Sequence, residues 1–364
     1  MRNPTSGANR SAGGAGARVL SVARTLPPHF VDQETLLAAF RELWGEKHFN
    51  VDRLEQLHRA VRVGGRHLAL PLEDYRRLES FTARNAAWTR VAVEVGGDAV
   101  RSALLAADVA PEQVDHLYFV TVTGIATPSI DARLVERIGL RTDVKRIPIF
   151  GLGCVAGAAG LARVADVLRG ARDEIAVLLA VELCSLTLQR DDLSIQNIVA
   201  SGLFGDGAAA AVVDGGARQR GPRIAATRSV FYPGTERVMG WDVVDSGFKV
   251  VLSPGVPQLV REKLRSDVDG FLAVQGLRRS DIAHFICHTG GPRVLEAVED
   301  ALELSRAVMQ RSWDSLQNVG NLSSASVLFV LSDLLASGEA RPGDRGLLLA
   351  MGPGFCSEMV LLEW

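Results

Sequence analysis

The apolar positions of the chain fall into short unbroken blocks, and two of these blocks have the same surroundings. Residues 116–124 read HLYFVTVTG, and residues 284–290 read HFICHTG. Each block follows an amphipathic helical pattern and a short turn, DVAPEQ in the first case and GLRRSD in the second. A brief apolar run bounded by turn residues is typical of a buried β-strand. Each of the two blocks begins with a histidine, at positions 116 and 284.

The similarity continues in the same order further along the chain. The segment GCVAGAAGLARVADVL starts at Gly153 and GNLSSASVLFVLSDLL starts at Gly320, which aligns Cys154 with Asn321 at nearly the same separation as the two histidines. Both segments predict helices that are apolar nearly all round and therefore buried. The apolar strands predicted at 177–180 and 347–350 follow at nearly the same separation again. Three matched segments in one order predict an internal duplication.

The duplication predicts an α/β fold of two βαβ-containing halves that are related by a pseudo-twofold axis. We assign residues 18–222 to the N-terminal half and residues 223–364 to the C-terminal half. The two buried helices then begin near one another and face one shared site. Residues 1–17 are rich in Gly, Ala and Ser, and we expect them to form a disordered tail.

Composition excludes several classes of function. A chain of 364 residues with 47% hydrophobic residues suits two fused halves. The net charge of −2 lacks the basic excess of a nucleic-acid-binding protein. The four cysteines are widely spaced without a CxxC pair, so neither a metal site nor a disulfide framework is predicted. The N-terminus has no apolar signal segment, and the longest uncharged run, 147–162, is too short to span a membrane. We therefore expect a cytoplasmic protein.

Cys154 stands where a sharp glycine-rich turn leads into a predicted helix, in the sequence FGLGCVAGAAG. The positive end of a helix dipole favours a thiolate, so this placement predicts a lowered thiol pKa and a nucleophilic role. A small buried core residue is the alternative interpretation of this stretch. The duplication favours the nucleophile, because it places the polar Asn321 at the matching position of the other half.

His288 ends an apolar strand and runs into a Gly-Gly-Pro turn, where the sites of α/β proteins gather. Taken singly, His288 suits a structural histidine, and Asn321 suits an ordinary helix N-cap that still has a free amide. Together with Cys154 they suit decarboxylative condensation: the thiolate accepts an acyl group, and the imidazole and carboxamide stabilise the enolate of a malonyl thioester. A cysteine protease uses the same residue types but explains neither the duplication nor the buried helices.

The combination of the segments GLGCVAGAAG, GLFGDGAAAAVV, CHTGGPRVLEAV, NVGNLSSASVLFVL and MGPGFCSEMVLLEW resembles the chalcone synthase-like, type III polyketide synthases. The resemblance covers residues 18–364, nearly the whole chain. It implies a thiolase fold of five αβαβα layers, a homodimer, and an enzyme that needs neither an acyl carrier protein nor a bound cofactor or metal. The substrates that it implies are an acyl-CoA starter and malonyl-CoA.

The resemblance also assigns roles to single residues. It makes Cys154 the acyl-bearing nucleophile and His288 and Asn321 the donors for decarboxylation. Phe204 and Phe248 resemble two gatekeepers between a coenzyme A tunnel and the cavity, with core packing as the alternative. The expected cavity residues are Thr123, Thr187, Ser323 and the loop Gly352, Pro353 and Gly354. The arginines matched to the coenzyme A phosphates are Arg53, Arg62 and Arg293, with Arg59 and Arg66 adding local positive charge.

The plant pattern TTSG is replaced here by TVTG, in which Val122 lacks a hydroxyl. This departure favours bacterial members that take aliphatic starters and form alkylpyrones or alkylresorcinols over a 4-coumaroyl starter. The alternative enzyme is a ketoacyl synthase of the fatty-acid priming type, which condenses malonyl units held on a carrier protein. A hydroxymethylglutaryl-CoA synthase would need a catalytic glutamate that the sequence does not reveal. A non-catalytic acyl-CoA-binding module would not need Cys154, His288 and Asn321 together.

Overall fold

The structure is a computed structural model that describes residues 16–45 and 51–364. Most of the predicted disordered tail, residues 1–15, lies outside the described residues. Ala17, which the sequence analysis assigned to that tail, is instead buried, and its carbonyl accepts a hydrogen bond from the Ile224 amide at 2.8 Å. The folded core therefore includes Ala17, because its small side chain packs where the two halves of the chain meet.

The described strands are β1 (Arg18–Thr25), β2 (His29–Asp32), β3 (Gly65–Leu68), β4 (His116–Thr121), β5 (Lys145–Phe150), β6 (Ile175–Leu183), β7 (Asp206–Asp214), β8 (Arg223–Phe231), β9 (Met239–Val244), β10 (Gly247–Leu252), β11 (His284–Cys287), β12 (Arg345–Gly352) and β13 (Cys356–Glu363). The helices are α1 (Gln33–Trp44), α2 (Val51–Ala60), α3 (Phe81–Ala107), α4 (Ile130–Ile138), α5 (Ala156–Leu168), α6 (Ile195–Leu203), α7 (Val256–Val274), α8 (Pro292–Leu302), α9 (Gln310–Val319) and α10 (Ser326–Ser337). Short 3-10 turns that matter for the site are Leu72–Arg77, Gly153–Val155, Cys184–Thr187 and Ser323–Ala325.

Nine of the described strands form one sheet whose two parts repeat the same pattern. The order β4-β6-β7-β1 in the N-terminal half corresponds to β11-β12-β13-β8 in the C-terminal half, and β5 extends the N-terminal half at the sheet edge beside β4. The pair β4/β6 is parallel like β11/β12, and β6/β7 and β7/β1 are antiparallel like β12/β13 and β13/β8. The two parts join between β1 and β8 through the single pair Arg18 and Arg223. This repetition confirms the predicted pseudo-twofold relation.

The layers follow from the alternation of side chains along the central strands. One face of β4 and β6, with Tyr118 and Leu178, packs on α5 and α10 in the middle of the molecule. The opposite face, with Leu117 and Leu179, packs on α3 and α4. The outer face of β12 and β13 packs on α7 and α8. Because each sheet half buries both faces, the strands are continuously apolar, as their sequences predicted. The result is the five-layered αβαβα arrangement.

The structure corrects the register of the duplication at the helix starts. Gly153 and Ser323 both have positive φ angles, 56° and 48°, and each begins a 3-10 turn that leads into a central helix. These two turns are separated along the chain by the same interval as the strands that follow them, β6 and β12. The counterpart of Cys154 is therefore Ser324, and the alignment with Asn321 was wrong by three residues. The shared feature is the backbone geometry of the turn, which residue types alone do not reveal.

Among the described residues, no helix is long and apolar enough to span a bilayer. The same residues contain no group of three or more His, Cys, Asp or Glu side chains that could hold a metal ion.

Candidate active site

Cys154 lies in the turn Gly153–Val155 between β5 and α5, with only 6% of its surface exposed. Gly153 precedes it in a left-handed conformation that favours glycine. A Cβ on Gly153 would also lie 2.8 Å from the ring of Pro353, so the Gly-Pro-Gly loop packs directly against the cysteine turn. The sequence around Cys154 therefore holds the thiol at the point where the two halves meet.

Ser323 and Asn321 come from the other half and meet the thiol. The Cys154 Sγ lies 3.6 Å from the Ser323 Oγ. The Asn321 Oδ1 accepts hydrogen bonds from the Ser323 amide at 2.8 Å and from the Ser326 Oγ at 3.3 Å. This capping leaves the Asn321 side-chain amide as a donor, and its influence lowers the pKa of the nearby Cys154 thiol. Asn321 thus caps the turn that brings Ser323 to the cysteine, and its role as a donor stays a prediction.

His288 follows directly after β11, and its amide donates to the Leu349 carbonyl at 2.9 Å. The ring is buried, and its Nδ1 has no hydrogen-bond partner among the described residues. Burial lowers the pKa of His288 to about 4, so the imidazole is neutral near pH 7. Its loop approaches the Asn321 segment through Leu203, whose carbonyl accepts from the Asn321 amide and whose side chain lies beside Gly291. No described hydrogen bond joins His288 directly to Cys154.

The electrostatics of Cys154 differ from the prediction. Burial raises the pKa of the Cys154 thiol to about 12, and the nearby Glu182 carboxylate raises it further. Hydrogen bonds from Ser323 and Asn321 act in the opposite direction without cancelling the effect of burial. The prediction of a lowered thiol pKa was therefore wrong: the thiol is protonated at rest, and a base must remove its proton when it reacts.

Glu182 is a buried carboxylate that the sequence analysis missed. It lies in β6 and accepts hydrogen bonds from the Ser324 Oγ at 2.5 Å, the Thr123 Oγ1 at 2.8 Å and the Val122 amide at 3.1 Å. Burial raises the pKa of Glu182. An acidic residue inside the apolar run AVLLAVEL was the signal that could have revealed it, because charged residues are rarely fully buried without partners.

Thr123 belongs to the Glu182 network rather than to the cavity wall. Besides donating to Glu182, its hydroxyl accepts from the Leu183 amide at 3.0 Å and from the Trp88 Nε1 at 3.2 Å. A hydroxyl has one donor and two acceptor positions, so Thr123 has none left for a substrate. The expectation that Thr123 offers its hydroxyl to the cavity is corrected, because all the hydrogen-bonding positions of that hydroxyl are occupied.

A cavity of about 750 Å³ lies beside Phe204 and Thr187 and extends under α1, and Cys154, His288 and Asn321 are not among the residues that line it. Its walls come from α1, the turn Leu72–Arg77, the turn Cys184–Thr187 and α6, and they are largely apolar. The Thr187 Oγ1 donates to the Cys184 carbonyl at 2.7 Å, within the turn that lines the cavity. Phe204 and Thr187 therefore line a cavity, and the roles that the resemblance assigns to them stay predictions.

Phe248 lies beside this cavity rather than in its wall. It is buried in an aromatic cluster, with ring centres 5.4 Å from Phe81, 6.1 Å from Phe150 and 6.3 Å from Trp241. Trp241, its neighbour in this cluster, does line the cavity. The structure thus places Phe248 in core packing, which the sequence analysis kept as the alternative to gatekeeping.

The three arginines matched to the coenzyme A phosphates are all exposed. Arg53 is exposed on α2 and donates to Gln56 at 3.4 Å. Arg62 lies 3.5 Å from Glu296 on α8, and Arg293 is exposed on the first turn of the same helix.

Arg66 is 1% exposed and donates to main-chain carbonyls, so it offers no positive charge to a phosphate at the surface. Arg59 is exposed and forms an ion pair with Glu34 at 2.5 Å.

Two family models match this chain and together cover almost all of it. The model described as "Chalcone and stilbene synthases, N-terminal domain" matches residues 4–217, and the model of the C-terminal domain matches residues 223–364. The chain belongs to the chalcone and stilbene synthase family. The family was predicted from five sequence segments, and the match confirms it.

Relatives and solved structures refine this assignment. A 1,3,6,8-tetrahydroxynaphthalene synthase of Streptomyces peucetius subsp. caesius is 51% identical over 353 residues, which are 96% of this chain and 93% of that protein. A putative chalcone synthase of Bacillus subtilis (strain 168) is 36% identical over 360 residues, covering 96% and 99%. The crystal structure of the tetrahydroxynaphthalene synthase of Streptomyces coelicolor A3(2), a bacterial type III polyketide synthase, matches with a TM-score of 0.91 at 31% identity, covering 95% of this chain and 99% of that one.

These findings confirm a type III polyketide synthase with the thiolase fold, which is a condensing acyltransferase. They do not favour the ketoacyl synthase that the sequence analysis kept as its alternative.

Proposed function

We propose that this polyketide synthase loads an acyl group from coenzyme A onto Cys154 and extends it with malonyl-CoA, with His288 and Asn321 as the donors for decarboxylation. The observation that carries this proposal is the meeting of Cys154, Ser323 and Asn321 between the two halves. The neutral, buried imidazole of His288, held at the end of a neighbouring strand, supports its role as a base and donor.

The loading step begins with a protonated thiol. His288 takes the Cys154 proton while the sulfur attacks the carbonyl carbon of the acyl-CoA. The carbon–sulfur bond to coenzyme A then breaks, and the departing thiolate takes the proton back from the imidazolium. Burial supports this sequence, because both groups are neutral before and after the transfer.

The extension step needs no external base. Malonyl-CoA loses carbon dioxide, and the electron pair of the broken bond becomes an enolate whose oxygen accepts from the Asn321 amide and from a protonated nitrogen of the neutral His288 ring. The enolate carbon attacks the acyl carbonyl on Cys154, and the Cys154 thiolate leaves. The product is a coenzyme A thioester longer by two carbons, which can return to the cysteine for another cycle.

For the product, we propose a polyhydroxylated aromatic compound built from malonyl units alone. Relatives that are named for polyhydroxylated aromatic products support this proposal. They are the tetrahydroxynaphthalene synthases and a phloroglucinol synthase of Pseudomonas fluorescens at 31% identity. Naphthalene has ten carbons and each condensation adds two, so five malonyl-derived units account for its skeleton.

The aliphatic starter predicted from the sequence stays a second candidate, because the cavity is lined by apolar residues of α1 such as Leu36 and Leu43.

Product analysis by mass spectrometry tests these alternatives. The protein is incubated with malonyl-CoA alone and then with a series of acyl-CoA starters of increasing chain length. We expect a ten-carbon aromatic product without an added starter. Product formation only in the presence of aliphatic starters would favour alkylpyrones, and turnover only with malonyl-carrier protein would contradict the proposed substrates.

We further propose that the enzyme is a homodimer that works without a bound cofactor or a carrier protein, as the family resemblance implies. Light scattering of the purified protein tests the dimer, since a mass of one chain would contradict it. Turnover of malonyl-CoA by protein treated with a chelating agent tests the absence of a metal requirement. Addition of a carrier protein is expected to leave the rate unchanged.

A further inference from the structure

Arg66 is a buried cation beside the site whose hydrogen bonds all go to one short stretch of chain and one side chain. It projects from β3 and is 1% exposed. Its Nη1 donates to the Ser201 carbonyl at 2.7 Å and to the Phe204 carbonyl at 3.0 Å. Its Nη2 donates to the Gly202 carbonyl and to the Gln33 Oε1. Three of these four acceptors are main-chain carbonyls at the C-terminal end of α6.

The end of a helix explains why a cation binds there. The last carbonyls of a helix have no partner within it, and they carry the negative end of the helix dipole. Burying a guanidinium is unfavourable unless it is paired and hydrogen-bonded. Burial lowers the pKa of Arg66 to about 10, against the attraction of Asp206, so the side chain stays charged near pH 7. The buried charge is thus matched to a particular set of carbonyls.

The same stretch of chain holds Asn321. The main-chain amide of Asn321 donates to the Leu203 carbonyl at 2.9 Å, and the Gly205 amide donates to the main-chain carbonyl of Asn321 at 3.0 Å. A Cβ on Gly205 would lie 2.4 Å from the Val319 carbonyl, so the two segments are in close contact. The end of α6 therefore sets the position of the Asn321 main chain.

We propose that Arg66 is a positioning residue for decarboxylation. Arg66 fixes the end of α6. Through the two main-chain hydrogen bonds between that helix end and Asn321, it keeps the side-chain amide of Asn321 directed at Cys154 and at the enolate that forms beside it. This proposal rests on the proposed function, because it needs Asn321 to be an enolate donor. It adds Arg66, which acts through Asn321 and not on the reacting atoms, to the residues on which the chemistry depends.

Arg66→Met removes the charge and the donors at similar volume. Acylation of Cys154 by an acyl-CoA is run to completion and measured as a mass shift of the intact protein. The acylated fraction gives the number of competent sites, meaning the sites whose Cys154 can accept an acyl group. The rate of carbon dioxide release from malonyl-CoA is then expressed per competent site. We expect this kcat to fall about tenfold or more, because misplacement by about 1 Å costs as much as 100-fold. The KM for malonyl-CoA should change by less than about threefold, because the donor acts on charge that develops in the transition state.

A merely structural role would lower the number of competent sites and leave kcat per competent site unchanged, and that result would overturn the proposal. Arg279→Met is the matched control, because Arg279 donates to the carbonyl of Leu302 at the end of α8, in another part of the molecule. It should leave kcat per competent site unchanged. An equal fall of kcat in this control would also count against Arg66.

If Arg66→Met does not fold, Gln33→Met decides the question. Gln33 accepts from Arg66 and donates to the His58 carbonyl at 3.0 Å, so its loss loosens the guanidinium without removing a charge. A smaller fall in kcat per competent site is expected, and no fall would refute the proposal. An unmodified protein that accepts no acyl group and releases no carbon dioxide would contradict the proposed function itself, which separates the two failures.

Discussion

The contact between the two central helices depends on Gly157. A Cβ at this position would lie 2.2 Å from the carbonyl oxygen of Ser324 and 2.9 Å from the Val327 Cγ1. The first of these atoms belongs to the main chain, so no side-chain rotation can relieve the clash. We therefore predict that Gly157→Ala forces α5 away from the turn before α10, and that it impairs both stability and condensation.

The expected magnitudes follow from this distance. An ordinary van der Waals contact needs a separation of at least about 3.2 Å, so the segments must part by about 1 Å. Overpacking of this kind costs about 1–3 kcal/mol of unfolding free energy, although alanine would otherwise favour the helix by about 1 kcal/mol. Cys154 lies three residues before Gly157, and Ser323 lies next to Ser324. A displacement of about 1 Å between these reacting segments is expected to lower the condensation rate about 100-fold.

Two measurements check this prediction: unfolding by denaturant and product formation from malonyl-CoA. Gly170→Ala is the matched control, because a Cβ there meets no atom within 4 Å just beyond the same helix. The control should keep the stability and the rate of the unmodified protein. If Gly157→Ala unfolds at the same denaturant concentration and keeps at least half of the rate, the close contact between the helices does not have the effect described here.

Three further predictions concern single side chains. Cys154→Ala should abolish product formation while the circular dichroism spectrum stays unchanged. Cys154→Gln should still release carbon dioxide from malonyl-CoA, because its side-chain amide mimics the acylated cysteine. Condensation product from either variant would exclude Cys154 as the nucleophile. Thr123→Val should lower the unfolding free energy by about 1–3 kcal/mol, because it leaves the three buried groups that bond to the Thr123 hydroxyl without that partner. Thr187→Val should lower it by less. Burial lowers the pKa of His58 to about 4, so the stability from its neutral ring is present above pH 6.5 and lost as the pH falls toward 4. The unfolding free energy lost in this way amounts to about 3 kcal/mol, and it should be missing from the pH dependence of His58→Gln. Plots of unfolding free energy against pH that run parallel for the unmodified protein and His58→Gln would contradict the reasoning.

The layered architecture could be predicted because it depends on patterns that the sequence shows directly. Continuous apolar runs such as Ile175–Leu183 must be buried on both faces, and apolar small-residue helices such as Ala156–Leu168 must lie in the centre. Repetition of these patterns in one order was sufficient to predict two related halves. The helix starts were aligned three residues away from their true counterparts, because the match of Cys154 with Asn321 rested on residue type.

The site could be predicted only where a residue's role does not depend on its tertiary neighbours. Cys154 and Asn321 were found because each stands at a turn before a buried helix. Arg66 was interpreted as local positive charge for coenzyme A, because the helix end that binds it comes from a distant part of the chain. Glu182 and Thr123 form a network whose members are far apart in the sequence, and no local pattern indicates that they meet.

The pKa of Cys154 shows which of two opposing effects decides the character of the site. A helix N-terminus stabilises a nearby anion by about 0.3–1 kcal/mol. Burial raises the pKa of this thiol from its ordinary value of 9.0 to about 12, which corresponds to about 4 kcal/mol against the thiolate. Burial therefore prevails by a wide margin. The acylated Cys154 of the proposed function would carry no charge, so the burial that disfavours the thiolate would not penalise the thioester. Burial therefore disfavours only the thiolate, and the neutral thiol must lose its proton to a base as it reacts.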